Sequence, residues 1–230
     1  MSPSVALSPL DHSEVFRYLG MTETATDAFL NERMQICEKK LLHFATPRYT
    51  YCILPLVRTE SVLYMDTMLL EGNAIRNHLE GCDRAVLLAA TLGIQVDQLI
   101  DRIQKRDMTN ALLLDAMANV AIEQICDKAE QKIQETMPDC FFTWRFSAGY
   151  GDFPISAQPA LLSRLNAARQ LGITVTETHL MTPRKSVTAI FGCAKHPLPE
   201  RRRGCTICHM REICLYRKKG AHCGGTESDL

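Results

Sequence analysis

The sequence predicts an α+β fold in which a mixed or antiparallel central sheet is flanked by helices, and three observations predict it. The run "AVLLAATLG", Ala85 to Gly93, is continuously apolar and closed by a glycine, the pattern of a strand covered on both faces. From Met108 to Met137, residues Ala118, Ile122, Ile125, Ala129 and Ile133 recur every three or four positions until Pro138, the period of an amphipathic helix. Strand-like and helix-like segments alternate without a repeated βαβ pattern, so a doubly wound sheet is not indicated.

Taken in order, "DHSEVFRYLG" reads as a short helix stopped by Gly20, and a second helix begins near Thr24 or Thr26 with Phe29, Arg33, Ile36 and Leu41 at its spacing. "YTYCILPLV" is β-rich, and Pro55 inside it suits an edge strand. "EGNAIRNHLEGC" forms one short helix, Ala85 to Gly93 the central strand, and "IQVDQLIDRIQ" the helix before the long one. "PALLSRLNAARQLG" predicts a helix with Pro159 in its first turn, Leu161, Leu165 and Ala168 on one face and Gly172 at its close. "ITVTETHLM" and "KSVTAIFG" read as two strands joined by a turn at Pro183. From Cys193 onward periodic hydrophobicity fades. The organisation expected is one domain over residues 1–192 and a Cys-rich basic tail over 193–230.

Lys+Arg and Asp+Glu both number 26, so no overall field selects nucleic acid or a membrane as partner. The start "MSPSVALSPLDH" lacks a basic n-region and a long apolar core, which points to a cytoplasmic location. Ten cysteines in that compartment are free thiols or metal ligands rather than a disulfide framework. Lys185 and Ser186 lack the glycine-rich loop that a phosphate site needs. His43, His78 and His179 have no ligand-forming neighbour at helical spacing and read as ordinary polar or partly buried histidines.

The stretch "WRFSAGYGDFPIS", Trp144 to Ser156, stands apart. Gly149 and Gly151 flank Tyr150, so the backbone is free to take positive φ and approach a ligand without Cβ clashes. Arg145 precedes it by four residues, and a guanidinium fork matches a carboxylate through two parallel hydrogen bonds. The other reading of the same residues is a glycine-rich surface turn with Arg145 paired to a neighbouring acid.

The run "RFSAGYGDFP", an Arg-x-x-x-Gly-Tyr motif, is followed by a helix and then by "LGITVTETHLMTPRKSVTAIFG". This order resembles the C-terminal activation domain of cobalamin-dependent methionine synthase, in which Arg-x-x-x-Gly-Tyr precedes a Leu-Thr-Glu-Ser-like strand, a Met-x-Pro turn and a Ser-Val-x-x-x-Gly strand. Upstream, "VFRYLGM" and "LAATLG" resemble the small stand-alone versions of that domain, so the likeness spans roughly residues 10 to 192. It implies a domain that binds S-adenosylmethionine and presents the methyl group to cobalamin on a partner, a corrinoid-binding methyltransferase subunit. There an external electron from a low-potential donor such as flavodoxin or ferredoxin, together with the methyl group, returns cob(II)alamin to methylcobalamin. Carried onto this chain, Arg145 holds the ligand carboxylate, Ala148 and Gly149 bring backbone to it, and Tyr150 walls the site. No side chain here is implied as a catalytic group. In longer family members an aspartate in a Trp-containing element near the domain start binds the ligand amino group, and no corresponding segment occurs here. Glu177 and Asp152 are the substitutes, Glu177 having a purely structural role near the turn as its alternative.

In the tail, Cys205, Cys208, Cys214 and Cys223 are spaced Cys-x2-Cys-x5-Cys-x8-Cys. Four thiolates suit zinc or an iron-sulfur cluster, and the first pair is close enough in sequence to reach one metal. Surrounding arginines and lysines lower thiol pKa and offset thiolate charge. The Cys-x3-Cys-x2-Cys signature of radical enzymes is absent. Two functions follow as expectations: an S-adenosylmethionine-binding activation subunit, or a redox or metal-binding interaction protein that docks through its tail.

Overall fold

The computed structural model describes residues 5–21, 28–60 and 62–198. In chain order the elements are α1 (His12–Leu19), α2 (Ala28–Phe44), β1 (Arg48–Arg58), β2 (Leu63–Met65), β3 (Met68–Leu70), α3 (Asn73–His78), β4 (Arg84–Thr91), α4 (Ile94–Gln104) and α5 (Met108–Glu135). There follow β5 (Phe141–Phe142), a 3-10 turn at Ile155–Ala157, α6 (Gln158–Arg164), α7 (Ala167–Leu171), β6 (Thr174–Val175), β7 (Met181–Thr182) and β8 (Ser186–Ala194). The main sheet has the order β3-β2-β1-β4-β8-β5 and every pairing in it is antiparallel. The fold is therefore α+β with an antiparallel sheet. Among the described residues no helix is long and apolar enough to cross a membrane.

β4 is the centre of the molecule because its composition allows burial on both faces. Val86, Leu88 and Ala90 point into one core with Val15, Met34, Leu41 and the apolar stripe of α5. Ala85, Leu87 and Ala89 point into a second core with Leu63, Ile75, Leu79, Phe153 and Leu161. Helices α1, α2, α4 and α5 thus cover one face, while α3, α6, α7 and the β2–β3 hairpin cover the other. Residue-by-residue alternation along a strand is what divides one apolar run between two cores.

The caps follow local chemistry. Asp11 accepts from the Ser13 amide at the start of α1, and Gly20 at φ 68 closes that helix. Asp107 accepts from the Asn110 amide at the start of α5 and also takes Arg33 of α2 at 3.2 Å.

Four sequence expectations are corrected. The buried face of α2 is Met34, Cys37 and Leu41, leaving Phe29 and Ile36 exposed at 62% and 43%. β1 is interior by strand order, pairing β4 through Arg48 to Pro55 and β2 only through Leu56 to Arg58. Pro55 fits there because the Leu56 amide reaches Asp83 on the β4 side, so the missing N–H at Pro55 belongs to the opposite side and breaks no ladder bond. The segment after Pro159 is two helices, broken at Asn166 with φ 50. That break shifts the register and puts Ala167 rather than Ala168 inside. "ITVTETHLM" is not one strand: β6 and β7 form their own small hairpin around Thr176–Leu180, and β8 alone joins the main sheet.

Candidate functional site

The segment after β5 runs along the free edge of β8 with one extra residue. Phe142 pairs with Cys193, and the next bridge joins Phe146 to Ile190, so four steps on one side oppose three on the other. Such a bulge re-aims side chains. Here it carries Trp144 and Arg145 off the sheet edge between two anchored residues, since Phe146 exchanges backbone bonds of 2.8 and 2.7 Å with Ile190.

Trp144 is fixed from behind by His78 of α3. His78 Nε2 lies 2.8 Å from the Trp144 carbonyl and 2.9 Å from Thr143 Oγ1; a carbonyl only accepts, so that nitrogen carries a proton. The imidazole stacks on Phe146 at 4.9 Å and meets Trp144 edge-on at the same distance. The histidine is 4% exposed and serves as a structural prop, in keeping with its ordinary reading from sequence.

Arg145 lies against α5. Its Nη1 donates to Glu130 Oε2 at 2.7 Å, and its Nη2 donates to Asp127 Oδ1 at 2.7 Å and Glu123 Oε2 at 3.0 Å. Residues 123, 127 and 130 share one face because four- and three-residue steps return to the same side of a helix. The arginine side chain is only 16% exposed and Glu130 18%, while Glu123 and Asp127 are 47% and 69% exposed. Burial disfavours the guanidinium charge, but attraction from surrounding groups, Asp127 and Glu130 among them, outweighs it and its pKa is raised. The neighbouring Cys126 is fully buried, which pushes its thiol up and keeps it protonated. Arg145 is a permanent cation facing three carboxylates.

Two clefts meet at this side chain. One, of about 290 Å³, is polar, lined by Asp127, Glu130, Gln131, Gln134 and Arg145. The other, of about 300 Å³, lies between α5, β8 and the bulged segment; Trp144, Phe146 and Tyr150 give it aromatic walls, Val187 and Ala189 a small apolar floor, and Glu123 and Arg145 a charged rim. A cleft with largely apolar and aromatic walls and a few convergent charges is the usual form of a small-molecule site.

The predicted site residues fall as follows. Arg145 and Tyr150 line the aromatic cleft, Tyr150 being 60% exposed at its mouth. Ala148 is nearly buried, and Gly149 and Gly151 have φ 95 and 58. The Gly149 amide is already bonded to the Phe153 carbonyl at 2.8 Å, so the loop is closed on itself. Asp152 points the other way: its carboxylate accepts from the Asn73 and Ala74 amides at 2.7 and 2.8 Å and caps α3. Gly72 and Gly151 permit that contact, since a Cβ on either would come within 2.7 Å of Asp152 O or Ala74 Cβ. Glu177 is exposed in the β6–β7 turn and lines neither cleft. Lys185 is paired with Asp115 at 2.8 Å and Asn119 at 2.8 Å. Cys205, Cys208, Cys214 and Cys223 lie outside the described residues. Sequence reasoning missed Glu123, Phe146, Val187 and Ala189. The acids at 123, 127 and 130 are visible in the sequence as a charged helix face, but nothing local names Arg145 as their partner.

No protein-family profile matches the chain, and no curated protein matches it. Among solved structures, the MetH reactivation domain bound to AdoHcy is similar with a TM-score of 0.68, at 14% identity, over 96% of this chain and 86% of that one. The two share a fold.

Proposed function

We propose that this chain is an S-adenosylmethionine-binding activation subunit, supporting reductive remethylation of cob(II)alamin on a cobalamin-dependent methionine synthase or a related corrinoid methyltransferase. One observation carries the proposal: an aromatic cleft of about 300 Å³ with a guanidinium on its rim, set in the fold of a domain solved with AdoHcy. The donor set fits such a ligand. Flat purine rings pack on the faces of Trp144 and Phe146, an amino-acid carboxylate takes the Arg145 fork, and a cationic sulfonium suits a rim that carries the Glu123 carboxylate.

The ligand supplies an electrophilic methyl group, and the partner's corrinoid supplies the cobalt that accepts it. The work of this chain is positional. Arg145, steadied by Asp127 and Glu130, fixes one end of the ligand, and the aromatic walls fix the other. Tyr150 at the mouth limits water and orients the reactive carbon outward. Alignment of this kind lowers the barrier without a general base. The proposal extends to the tail, where Cys205, Cys208, Cys214 and Cys223 hold zinc or an iron-sulfur cluster; a cluster would pass one electron toward the corrinoid, taken from a flavodoxin- or ferredoxin-like donor.

The test mixes the chain with a corrinoid methyltransferase in the cob(II) state, a low-potential reductant and S-adenosylmethionine, following methylcobalamin by its absorbance. Product is expected only when all four are present, and equal product without this chain ends the proposal. The same preparation, made without oxygen, is assayed for iron, sulfide and zinc; absence of all three removes the metal site.

A further inference from the structure

We propose that Cys140 and Cys193, with Arg84 beside them, form a thiol–disulfide exchange site that takes a small-molecule disulfide. None of the three residues lines either cleft, so this site stands apart from the function proposed above.

The sheet register brings the two sulfurs to one face. Cys193 pairs directly with Arg84 of β4 on one side and with Phe142 of β5 on the other. Directly opposed residues share a face, and residues two apart along a strand return to it, so Cys140, two before Phe142, is the diagonal neighbour of Cys193. Its side chain is aimed accordingly. Arg84 Nη2 donates to Cys140 Sγ at 3.5 Å, reaching it across β8, which lies between β4 and β5. One guanidinium therefore touches one thiol and is the cross-strand partner of the other. Cys82, by contrast, lies against Gly192 and belongs to the opposite face.

The two thiols differ in what they can do. Cys140 is partly exposed, so a small disulfide reaches it, whereas Cys193 is fully buried. Burial pushes the Cys193 thiol up to about 11, with Arg84 opposing that rise and Cys140 adding to it. Cys140 is thus the attacking sulfur and Cys193 the resolving one. In the first step the Cys140 thiolate attacks one sulfur of the incoming disulfide and breaks its S–S bond. A mixed disulfide forms on Cys140, and one small thiol leaves, taking up a proton. In the second step Cys193 loses its proton, its sulfur attacks that of Cys140, and the second small thiol departs. Two protein thiols are oxidised to one disulfide, and the small disulfide is reduced to two thiols. Arg84 faces the negative charge that this exchange spreads over the reacting sulfurs. Closure needs Cβ atoms about 4 Å apart, against the ~7 Å of diagonal neighbours. Cys140 supplies the movement, since it precedes the first ladder pair, Phe141 with Ala194, and its amide bonds back to Met137 in the turn before β5. The new bond fastens β5 to β8 ahead of the bulge, where their ladder is short.

The full chain, reduced and then exposed to oxidised glutathione, is quenched in acid, digested and mapped by mass spectrometry, which reads each cysteine separately. Wild type is expected to yield the Cys140 and Cys193 peptides cross-linked, with little glutathione retained on Cys140. Cys193→Ala should retain about fivefold more glutathione there, because no thiol resolves the adduct, and Cys140→Ala should leave Cys193 unmodified. Arg84→Gln should slow the consumption of Cys140 by about fivefold, the scale of one partly exposed charge contact. Circular dichroism confirms that each variant is folded. An unmodified Cys140 in wild type overturns the proposal, as does an equal retained adduct in wild type and Cys193→Ala, or an Arg84→Gln variant that reacts as fast as wild type.

Discussion

β4 and the Trp144–Ser156 segment are held in opposite ways. β4 has continuous ladders to β1 and β8 on its two sides and a core on each face, so its position is fixed by many small, interchangeable interactions. The Trp144–Ser156 segment has one bridge to β8, anchors Ala148 and Phe153 in the second core, and is otherwise tied by single cross-links: His78 on the Trp144 carbonyl, Arg145 on α5 and Asp152 on α3. A segment held by distant side chains can be shaped for a ligand without altering the core. It is also fragile in a different way, because each cross-link has its own chemistry and its own failure.

That comparison is broken most forcefully from the β4 side. Leu88 is fully buried against the α5 core, and Leu88→Ala should cost about 3 kcal/mol by transfer and cavity terms together, read as a shift in the urea midpoint. Ligand affinity in the fraction still folded should change less than about twofold, since Leu88 lines neither cleft and contributes no side chain to the site. A large loss of affinity would show that the core and the site are not separable.

The converse change is Arg145→Ala. It removes the guanidinium and strands three carboxylates, of which Glu130 is the least exposed. A stability loss of about 2 kcal/mol is expected, below the usual cost of breaking a fully buried pair because two of the acids are well solvated. S-adenosylmethionine affinity should fall about a hundredfold, the loss of a two-pronged charge-assisted contact. Stability loss without any loss of affinity, by calorimetry on the folded variant, would assign Arg145 to the scaffold alone.

The same division decides what can be read in the sequence. The apolar run at Ala85 to Gly93 and the stripe from Ala118 to Ile133 are periodic, and periodicity survives without knowledge of partners; both elements lie where the pattern puts them. Gly20 and Gly172 mark helix ends for equally local reasons. The motif at Arg145 to Tyr150 was also legible, and Arg145, Phe146, Ser147 and Tyr150 of that stretch line the cleft. What the sequence withheld is non-local. The bulge that exposes Trp144 and Arg145 depends on the register with β8. The pairing of Arg145 with residues 123, 127 and 130 spans 15 to 22 positions. Asp152 reads as a possible ligand because it lies in the motif, whereas its partners are 78 and 79 residues away.

The smallest effect sharpens the comparison furthest, because it isolates one cross-link by its charge. The Asp152 carboxylate is held below its ordinary range by the Ala74 amide first and the Asn73 amide second, with burial opposing them weakly. A carboxylate whose folded pKa is depressed stabilises the fold above its unfolded pKa of about 3.9, and that contribution disappears as pH falls through the lower folded value. Wild type should therefore exceed Asp152→Asn in urea midpoint at pH 7, and the gap should narrow when both are measured near pH 2.5. The variant keeps one acceptor oxygen for two amides, so the loss at pH 7 is expected to be small. Equal gaps at both pH values would mean that the Asp152 charge is immaterial and that Gly72 and Gly151, through close backbone packing alone, set the position of the loop against α3.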